Sequence, residues 1–150
     1  MKKIFLSFIY IVIIMLSIVG CSNKIVENSI EVENFVPSDM KEEIGSGQFI
    51  ISTYSEIGEN NIPVFFSNEF NGLSQIKIQS NEFDGSKSSY IYIDSKLNTI
   101  ENLGEMNVFT LTVDKENMSK GIHKVEVIQF DNNKISGNPV TYKVCTYEVK

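Results

Sequence analysis

Residues 107–131 read NVFTLTVDKENMSKGIHKVEVIQFD and carry the clearest indication of the fold. Apolar side chains recur at every second position in both halves of this stretch: Phe109, Leu111 and Val113 in the first, Val125 and Val127 in the second. Successive side chains of a strand point to opposite faces, so this period of two is typical of half-buried strands. The stretch therefore predicts two strands joined by a short polar connection.

The same alternation continues on both sides of this stretch. We expect strands near 48–53, 62–66, 73–79, 89–94, 107–113, 122–130 and 140–149. Segments rich in Asn, Asp and Gly separate these strands, as turns require. Seven short strands without a convincing amphipathic helix are the pattern of an all-β, two-sheet sandwich.

Two segments resemble bacterial immunoglobulin-like domains. Residues 121–127 read Gly-x-His-x-Val-x-Val, with Asp131 at the next turn, and are similar to the region where strand E leads into strand F. Residues 90–94 resemble the central strand, which often ends in Asp-Gly, although Ser95 stands here in place of the glycine. The resemblance implies an immunoglobulin-like β-sandwich of about seven strands. It implies little about function, because such modules serve as spacers, adhesins and carbohydrate-associated domains.

The N-terminus has the layout of a bacterial export signal. Two lysines at positions 2 and 3 precede an apolar run over residues 4–19. The run ends in Ile18-Val19-Gly20-Cys21, which resembles the lipobox of bacterial lipoproteins. The resemblance implies a signal peptide over 1–20, acyl chains such as palmitate on Cys21, and a membrane-bound, extracytoplasmic protein. An uncleaved N-terminal helix and an ordinary secretory signal are the alternatives.

Residues 21–46 read as a tether between this anchor and the sandwich at 47–150. The segment is acidic and poor in aromatic residues, which favours flexibility. A flexible segment of this length reaches about 25–30 Å, from about 5–6 Å times the square root of the residue number. It is interpreted either as a stalk that lifts the domain off the lipid headgroups or as a solvated linker without a specific role.

The charge of the chain restricts its partners. The net charge is −6 and no residue is arginine. Removal of Lys2 and Lys3 with the signal peptide takes −6 to −8. Nucleic-acid binding needs a basic surface that neutralises phosphates, so a nucleic-acid partner is not expected. No motif for a cofactor, a metal or a catalytic group stands out, and none of these is predicted.

His123 and Cys145 are the candidates for chemistry. If strands 122–130 and 140–149 form a hairpin, Val125 lies opposite Cys145 and His123 lies opposite Tyr147. One hypothesis is a nucleophilic Cys–His pair. The favoured one is a structural histidine bonded to nearby backbone, above a buried thiol, because no third orienting group is evident. Cys145 has no disulfide partner while Cys21 carries lipid, which leaves an inert thiol or pairing with another chain.

Four aspartates lie near turns: Asp84, Asp94, Asp114 and Asp131. Their oxygens suit calcium, but none forms a regularly spaced calcium loop, and turn capping explains each more simply. The sequence thus predicts a non-catalytic module at the cell surface that binds a protein or glycan ligand or acts as a spacer. The alternative is a small envelope enzyme, or an inhibitor or exclusion protein, with a site near His123 and Cys145.

Overall fold

The computed structural model describes residues 40–54, 58, 61–67 and 74–150, all within the unit Val32–Lys150. The predicted signal peptide, Cys21 and most of the tether lie outside the described residues. In the ranges described, no helix is long and apolar enough to cross a membrane.

Within the described residues, eight strands form two sheets. The first sheet has the order β1-β3-β6, with β1 Gln48–Ser52, β3 Gln75–Asn81 and β6 Met106–Thr112. The second has the order β2-β8-β7-β4-β5, with β2 Val64–Phe65, β4 Ser89–Ile93, β5 Lys96–Glu101, β7 Gly121–Phe130 and β8 Pro139–Val149. All neighbours run antiparallel except β2 and β8, which run parallel.

This strand order is that of an immunoglobulin-like sandwich. The strands β1, β3 and β6 take the places of A, B and E, while β4, β7 and β8 take those of C, F and G. A short 3-10 helix, Lys115–Met118, makes the connection from β6 to β7 across the two sheets. The predicted all-β, immunoglobulin-like sandwich is confirmed.

All seven predicted strands are present, and β5 is an eighth that the sequence did not indicate. In β5, Leu97 is half-buried whereas Ile100 is exposed, so its apolar residues do not alternate as those of a half-buried strand would. The hairpin from β4 to β5 turns through Asp94 and Ser95, whose φ angles are 48° and 69°. Two central residues with positive φ are the pattern of a type I′ turn, which favours glycine at the second position, and here Ser95 adopts that left-handed conformation instead.

The main core lies between the two sheets and contains the apolar residues identified by their period of two. Its fully buried members are Ile76, Ile78, Ile91, Val125, Val127 and Tyr147. A second cluster covers the other face of the five-stranded sheet and is largely aromatic: Tyr90, Tyr92, Ile128, Phe130 and Tyr142. The strand β4, which lies between β7 and β5, is therefore covered on both faces, which explains why every one of its residues is buried.

Residues 40–46, at the end of the predicted tether, lie against β8. Ile44 and Tyr142 exchange two backbone hydrogen bonds, each 3.1 Å long. The Glu43 carboxylate accepts a hydrogen bond from the backbone N–H of Val144 at 3.0 Å. Met40 packs against the aromatic cluster. The contacts of the sandwich therefore begin before residue 47, and Glu43 satisfies a donor on the edge of β8.

Candidate functional site

His123 lies near the start of β7, two residues after Gly121, whose φ of 138° suits glycine. In the register of β7 with β8, His123 is opposite Tyr147 and Val125 is opposite Cys145, as the sequence predicts. His123 is buried, and Val125 two residues on belongs to the core between the sheets.

Both ring nitrogens of His123 have acceptors. Nδ1 lies 2.6 Å from Oδ2 of Asp94, and Nε2 lies 2.6 Å from the carbonyl oxygen of Ser119. A carbonyl oxygen only accepts, so Nε2 carries a proton. An ionised carboxylate also only accepts, so the bond between Nδ1 and Asp94 needs a proton on Nδ1. When both nitrogens are protonated, the ring donates to both partners and its charge is paired with Asp94.

Asp94 joins three segments at this corner. Its Oδ1 accepts from the backbone N–H of Lys124 at 2.9 Å, and its Oδ2 accepts from the side-chain amide of Asn117 at 3.2 Å. Its own N–H donates to the carbonyl of Lys124 at 3.0 Å. Burial raises the pKa of Asp94, but the bonds from His123, Lys124 and Asn117 outweigh it and hold that pKa below its ordinary value of 3.8. Asp94 is therefore the ionised half of the pair.

Tyr147 completes the group, which we call the corner cluster: Asp94, Asn117, Ser119, His123 and Tyr147. The Tyr147 ring stacks on the imidazole, with centroids 5.0 Å apart and planes 13° from parallel. Its hydroxyl donates to the carbonyl of Asn117 at 2.8 Å. Burial, followed by the charge of Asp94, raises the pKa of Tyr147, so the phenol stays protonated. The cluster ties the connection before β7 to both the β4–β5 turn and β8.

Cys145 packs against the core from β8, but its hydrogen-bond partner is not His123. Its thiol donates to the carbonyl of Phe49 in β1, at 3.0 Å. Burial, assisted by the charge of Glu43, raises the pKa of Cys145 to about 11. An activated nucleophile shows the opposite change, a pKa lowered by a neighbouring cation. The two ring nitrogens of His123 are engaged with Asp94 and Ser119, so neither is left to accept the thiol proton.

The structure therefore brings His123 and Cys145 to neighbouring strands but assigns them separate roles. A third group that orients the histidine was not evident in the sequence, and the structure supplies one, because Asp94 is bonded to the imidazole. The other ring nitrogen of His123, Nε2, is bonded to the Ser119 carbonyl rather than to a nucleophile. Asp94 was singled out as a turn aspartate, but its link to His123 was missed because the two residues are 29 positions apart.

The ion pair predicts a specific acid sensitivity. The pKa of Asp94 is lowered in the folded state, so its contribution to stability is complete above the unfolded-state value and is lost as the pH falls through the folded-state value. We expect Asp94→Asn to be less stable than the unsubstituted chain at neutral pH. The difference should shrink as the pH falls below 3.8.

Urea unfolding midpoints of the two proteins, measured across this range, test the expectation. Asp84 and Asp131 also have lowered pKa values. Both groups are common to the two chains, so their contributions cancel in the difference. A gap in stability that is independent of pH would show that the Asp94 carboxylate is not ionised in this pair.

Two of the other turn aspartates cap turns locally, whereas Asp114, at the N-cap of the 3-10 helix, makes no side-chain capping hydrogen bond. Asp84 accepts from the N–H and hydroxyl of Ser86, and Asp131 accepts from the N–H and side-chain amide of Asn138. These bonds lower the pKa of both carboxyls. Within the described ranges, no group of three metal-ligating side chains comes together. The aspartates at these two turns therefore have the geometry of turn caps.

At one end of the sandwich, the β3–β4 and β7–β8 connections are hydrogen-bonded to each other. Asn133 is central: its side chain accepts from the N–H of Ser88 at 3.1 Å and donates to the carbonyl of Ser86 at 3.2 Å. The hydroxyl of Tyr90 donates to the Asn133 carbonyl at 2.8 Å. Antibody variable domains carry binding loops at the equivalent positions. This end is a candidate binding surface made of exposed polar groups.

No protein-family model and no curated protein matches the chain. Two solved structures are similar to it. One shows fibronectin(III)-like modules of Clostridium thermocellum CbhA, with 13% identity and a TM-score of 0.40, covering 67% of this chain and 96% of that one. The other is the CARDB domain of PF1109 from Pyrococcus furiosus, with 11% identity and a TM-score of 0.41, covering 71% and 97%.

Proposed function

We propose that this chain is a lipoprotein anchored by acyl chains on Cys21, which displays a non-catalytic binding or spacer module on the extracytoplasmic face of the cell membrane. The anchor rests on the Ile18-Val19-Gly20-Cys21 ending of the leader. The module is the immunoglobulin-like sandwich, a fold whose members commonly present loops and sheet faces to partners. A protein or a glycan at the envelope fits such a module.

One observation carries the non-catalytic half of this proposal. The only histidine of the chain donates from both ring nitrogens to groups that are themselves part of the fold, Asp94 and the Ser119 carbonyl. A general base needs a nitrogen free to accept a proton from a nucleophile within hydrogen-bond reach. His123 is instead a counterpart of the tyrosine corner, in which a side chain at the start of strand F bonds back to the preceding backbone.

Thiol labelling separates this proposal from the enzyme alternative. With a pKa of about 11, little of the Cys145 thiol is ionised at neutral pH. We therefore expect iodoacetamide to modify Cys145 slowly in the folded protein and rapidly in urea, as read by mass spectrometry of the Cys145 peptide. A half-buried thiol bonded to the Phe49 carbonyl has little access to the reagent.

Ile122→Cys is the matched control. Position 122 is 59% exposed on the same strand as His123, so its thiol should react quickly in the same folded molecules. Fast labelling of native Cys145 that disappears in His123→Gln would contradict the non-catalytic proposal and favour a Cys–His nucleophile. Slow labelling of Cys145 beside fast labelling of position 122 supports the module.

A further inference from the structure

The strand β6 is an open edge of the three-stranded sheet. Val113, just after β6, donates its N–H to Ser74 on the β3 side, at 2.9 Å. Backbone groups alternate in direction along a strand, so Met106, Val108 and Thr110 direct their N–H and C=O groups away from β3. Thr112 does the same, and its carbonyl accepts from the Asn98 side chain at 3.1 Å. Among the described strands, none pairs with β6 on this side.

The other sheet edges carry the features that prevent strand addition. β2 has only two residues and follows Pro63, and β5 begins with Lys96, which pairs with Glu116. At the edge strand β1, the Phe49 carbonyl is taken by the Cys145 thiol. Short strands, prolines and charges are the usual protection of sheet edges.

β6 has neither the short length and preceding proline of β2 nor the terminal charge of β5, and its last carbonyl, that of Thr112, is engaged by the Asn98 side chain. Its seven residues, MNVFTLT, include no charge, no proline and no glycine. It pairs with β3 over its whole length without a bulge. An uncharged, regular edge of this length is a template for another strand. A polar groove of about 360 Å³, partly lined by Thr110 and Thr112, lies between this edge and β5 and leaves space beside it.

The side chains next to the open edge are apolar. Met106 is 72% exposed and Val108 is 57% exposed on the outer face of the sheet. Val108 lies in one row with Gln79 and Ile50, the latter 54% exposed. The outward residues of this sheet include no carboxylate, although the chain has a net charge of −6. A second copy that approaches this outer face meets no carboxylate on the face itself, whereas Glu101 and Asp114 line the groove beside the edge.

We propose that β6 pairs antiparallel with β6 of a second copy, around a two-fold axis at Val108, to form a continuous six-stranded sheet. A two-fold axis makes the surface self-complementary, as in most homodimers. This register places Val108 opposite Val108 of the second copy and Met106 opposite Thr110. It leaves the bond between Thr112 and Asn98 intact and joins the two Ile50-Gln79-Val108 rows. The inference is independent of the proposed ligand-binding or spacer role.

Site-directed disulfide formation in the full chain, in membranes of the expressing cells, tests this arrangement. In a hydrogen-bonded antiparallel pair the opposed Cα atoms are about 5.5 Å apart, within disulfide range. Val108→Cys should therefore give a covalent dimer of twice the chain mass on a non-reducing gel after mild oxidation. The unsubstituted chain, which retains Cys145, serves as the blank.

Met106→Cys is the control for register. Two copies of residue 106 would be offset by four positions, about 13 Å along the strands, which is beyond disulfide reach. Ile122→Cys, exposed on the other sheet, is the control for random collision. We expect strong cross-linking at 108 and little at 106 or 122. No dimer at 108, equal cross-linking at all three positions, or a product of another mass would each overturn the proposal.

Thr110→Lys provides a second test. Introduced into the Val108→Cys chain, it places a charge on the open edge, and the cross-linked dimer should be lost. Thr110 is exposed, and its backbone groups point away from β3, so the fold should tolerate the change. Slow iodoacetamide labelling of Cys145 in the doubly substituted chain verifies that the sandwich is intact. Persistence of the dimer in that folded variant contradicts strand pairing at β6.

Discussion

Cys21→Ser is expected to abolish acylation and to leave the signal peptide attached. The lipid is transferred to a thiol, and a serine hydroxyl cannot take its place in the motif Ile18-Val19-Gly20-Cys21. One acyl chain gives only marginal membrane binding whereas two give stable anchoring, at about 0.8 kcal/mol per buried CH₂. Loss of both acyl chains should therefore abolish stable membrane anchoring by lipid rather than weaken it. Incorporation of labelled palmitate and the mass of the chain report it directly.

Ser22→Ala is the matched control, because it changes a neighbouring hydroxyl residue outside the motif. It should be acylated and cleaved like the unsubstituted chain. If Cys21→Ser is still cleaved after Gly20 and its product still partitions into detergent, the lipoprotein assignment is wrong. If neither chain incorporates palmitate and both are released into the medium, the leader is an ordinary secretory signal.

His123→Ala is expected to cause the largest loss of stability of any single change in the corner cluster. The substitution leaves the Asp94 carboxylate and the Ser119 carbonyl without their donor and removes the ring stacked on Tyr147. Hydrogen bonds to charged groups contribute about 1.5–3 kcal/mol, and the vacated space adds to the loss. Because Asp94 is one-third exposed, water can hydrate its carboxylate in the variant and offset part of the lost hydrogen-bond energy. We therefore expect the free energy of unfolding to fall by about 2–4 kcal/mol.

A loss of this size is a large fraction of the 5–15 kcal/mol typical of one domain and should lower the melting temperature by roughly 10–20 °C. Ile122→Ala, at an exposed position one residue earlier, should cost less than about 0.5 kcal/mol. A cycle of His123→Ala and Asp94→Ala, singly and together, measures the coupling between the two side chains. Additive effects would mean that the ion pair contributes nothing beyond packing.

Most of the strands could be predicted because their evidence is local. The period of two in residues 107–113 reflects one more buried and one exposed face, which the segment reports by itself, whereas β7 alternates only at its start and is buried on both faces from Val125 onwards. The pairing of His123 with Tyr147, predicted on the condition that β7 and β8 form a hairpin, is the one observed. β5 was not predicted, because its half-buried and exposed residues do not alternate with a period of two.

The candidate site was predicted only in part. Sequence reasoning placed His123 and Cys145 on one face of neighbouring strands and favoured a structural histidine bonded to backbone, and the Ser119 carbonyl is such a partner. It did not predict that Asp94 binds His123, because the sequence around Asp94 indicated only an aspartate at a turn. The turn conformation aims its carboxylate at β7, and the φ of 48° that produces this could not be read from the residue type.

Local patterns in the sequence were sufficient to predict the fold class and the positions of seven strands, because these follow from periodicity, and the β7–β8 register was predicted on the condition that the two strands form a hairpin. Which polar groups meet depends on tertiary packing: Asp94 with His123, Glu43 with Val144, and the Cys145 thiol with Phe49. Those contacts join residues far apart in the chain, across turns and between sheets. Their existence depends on how the two sheets pack, and no local pattern of hydrophobicity encodes that.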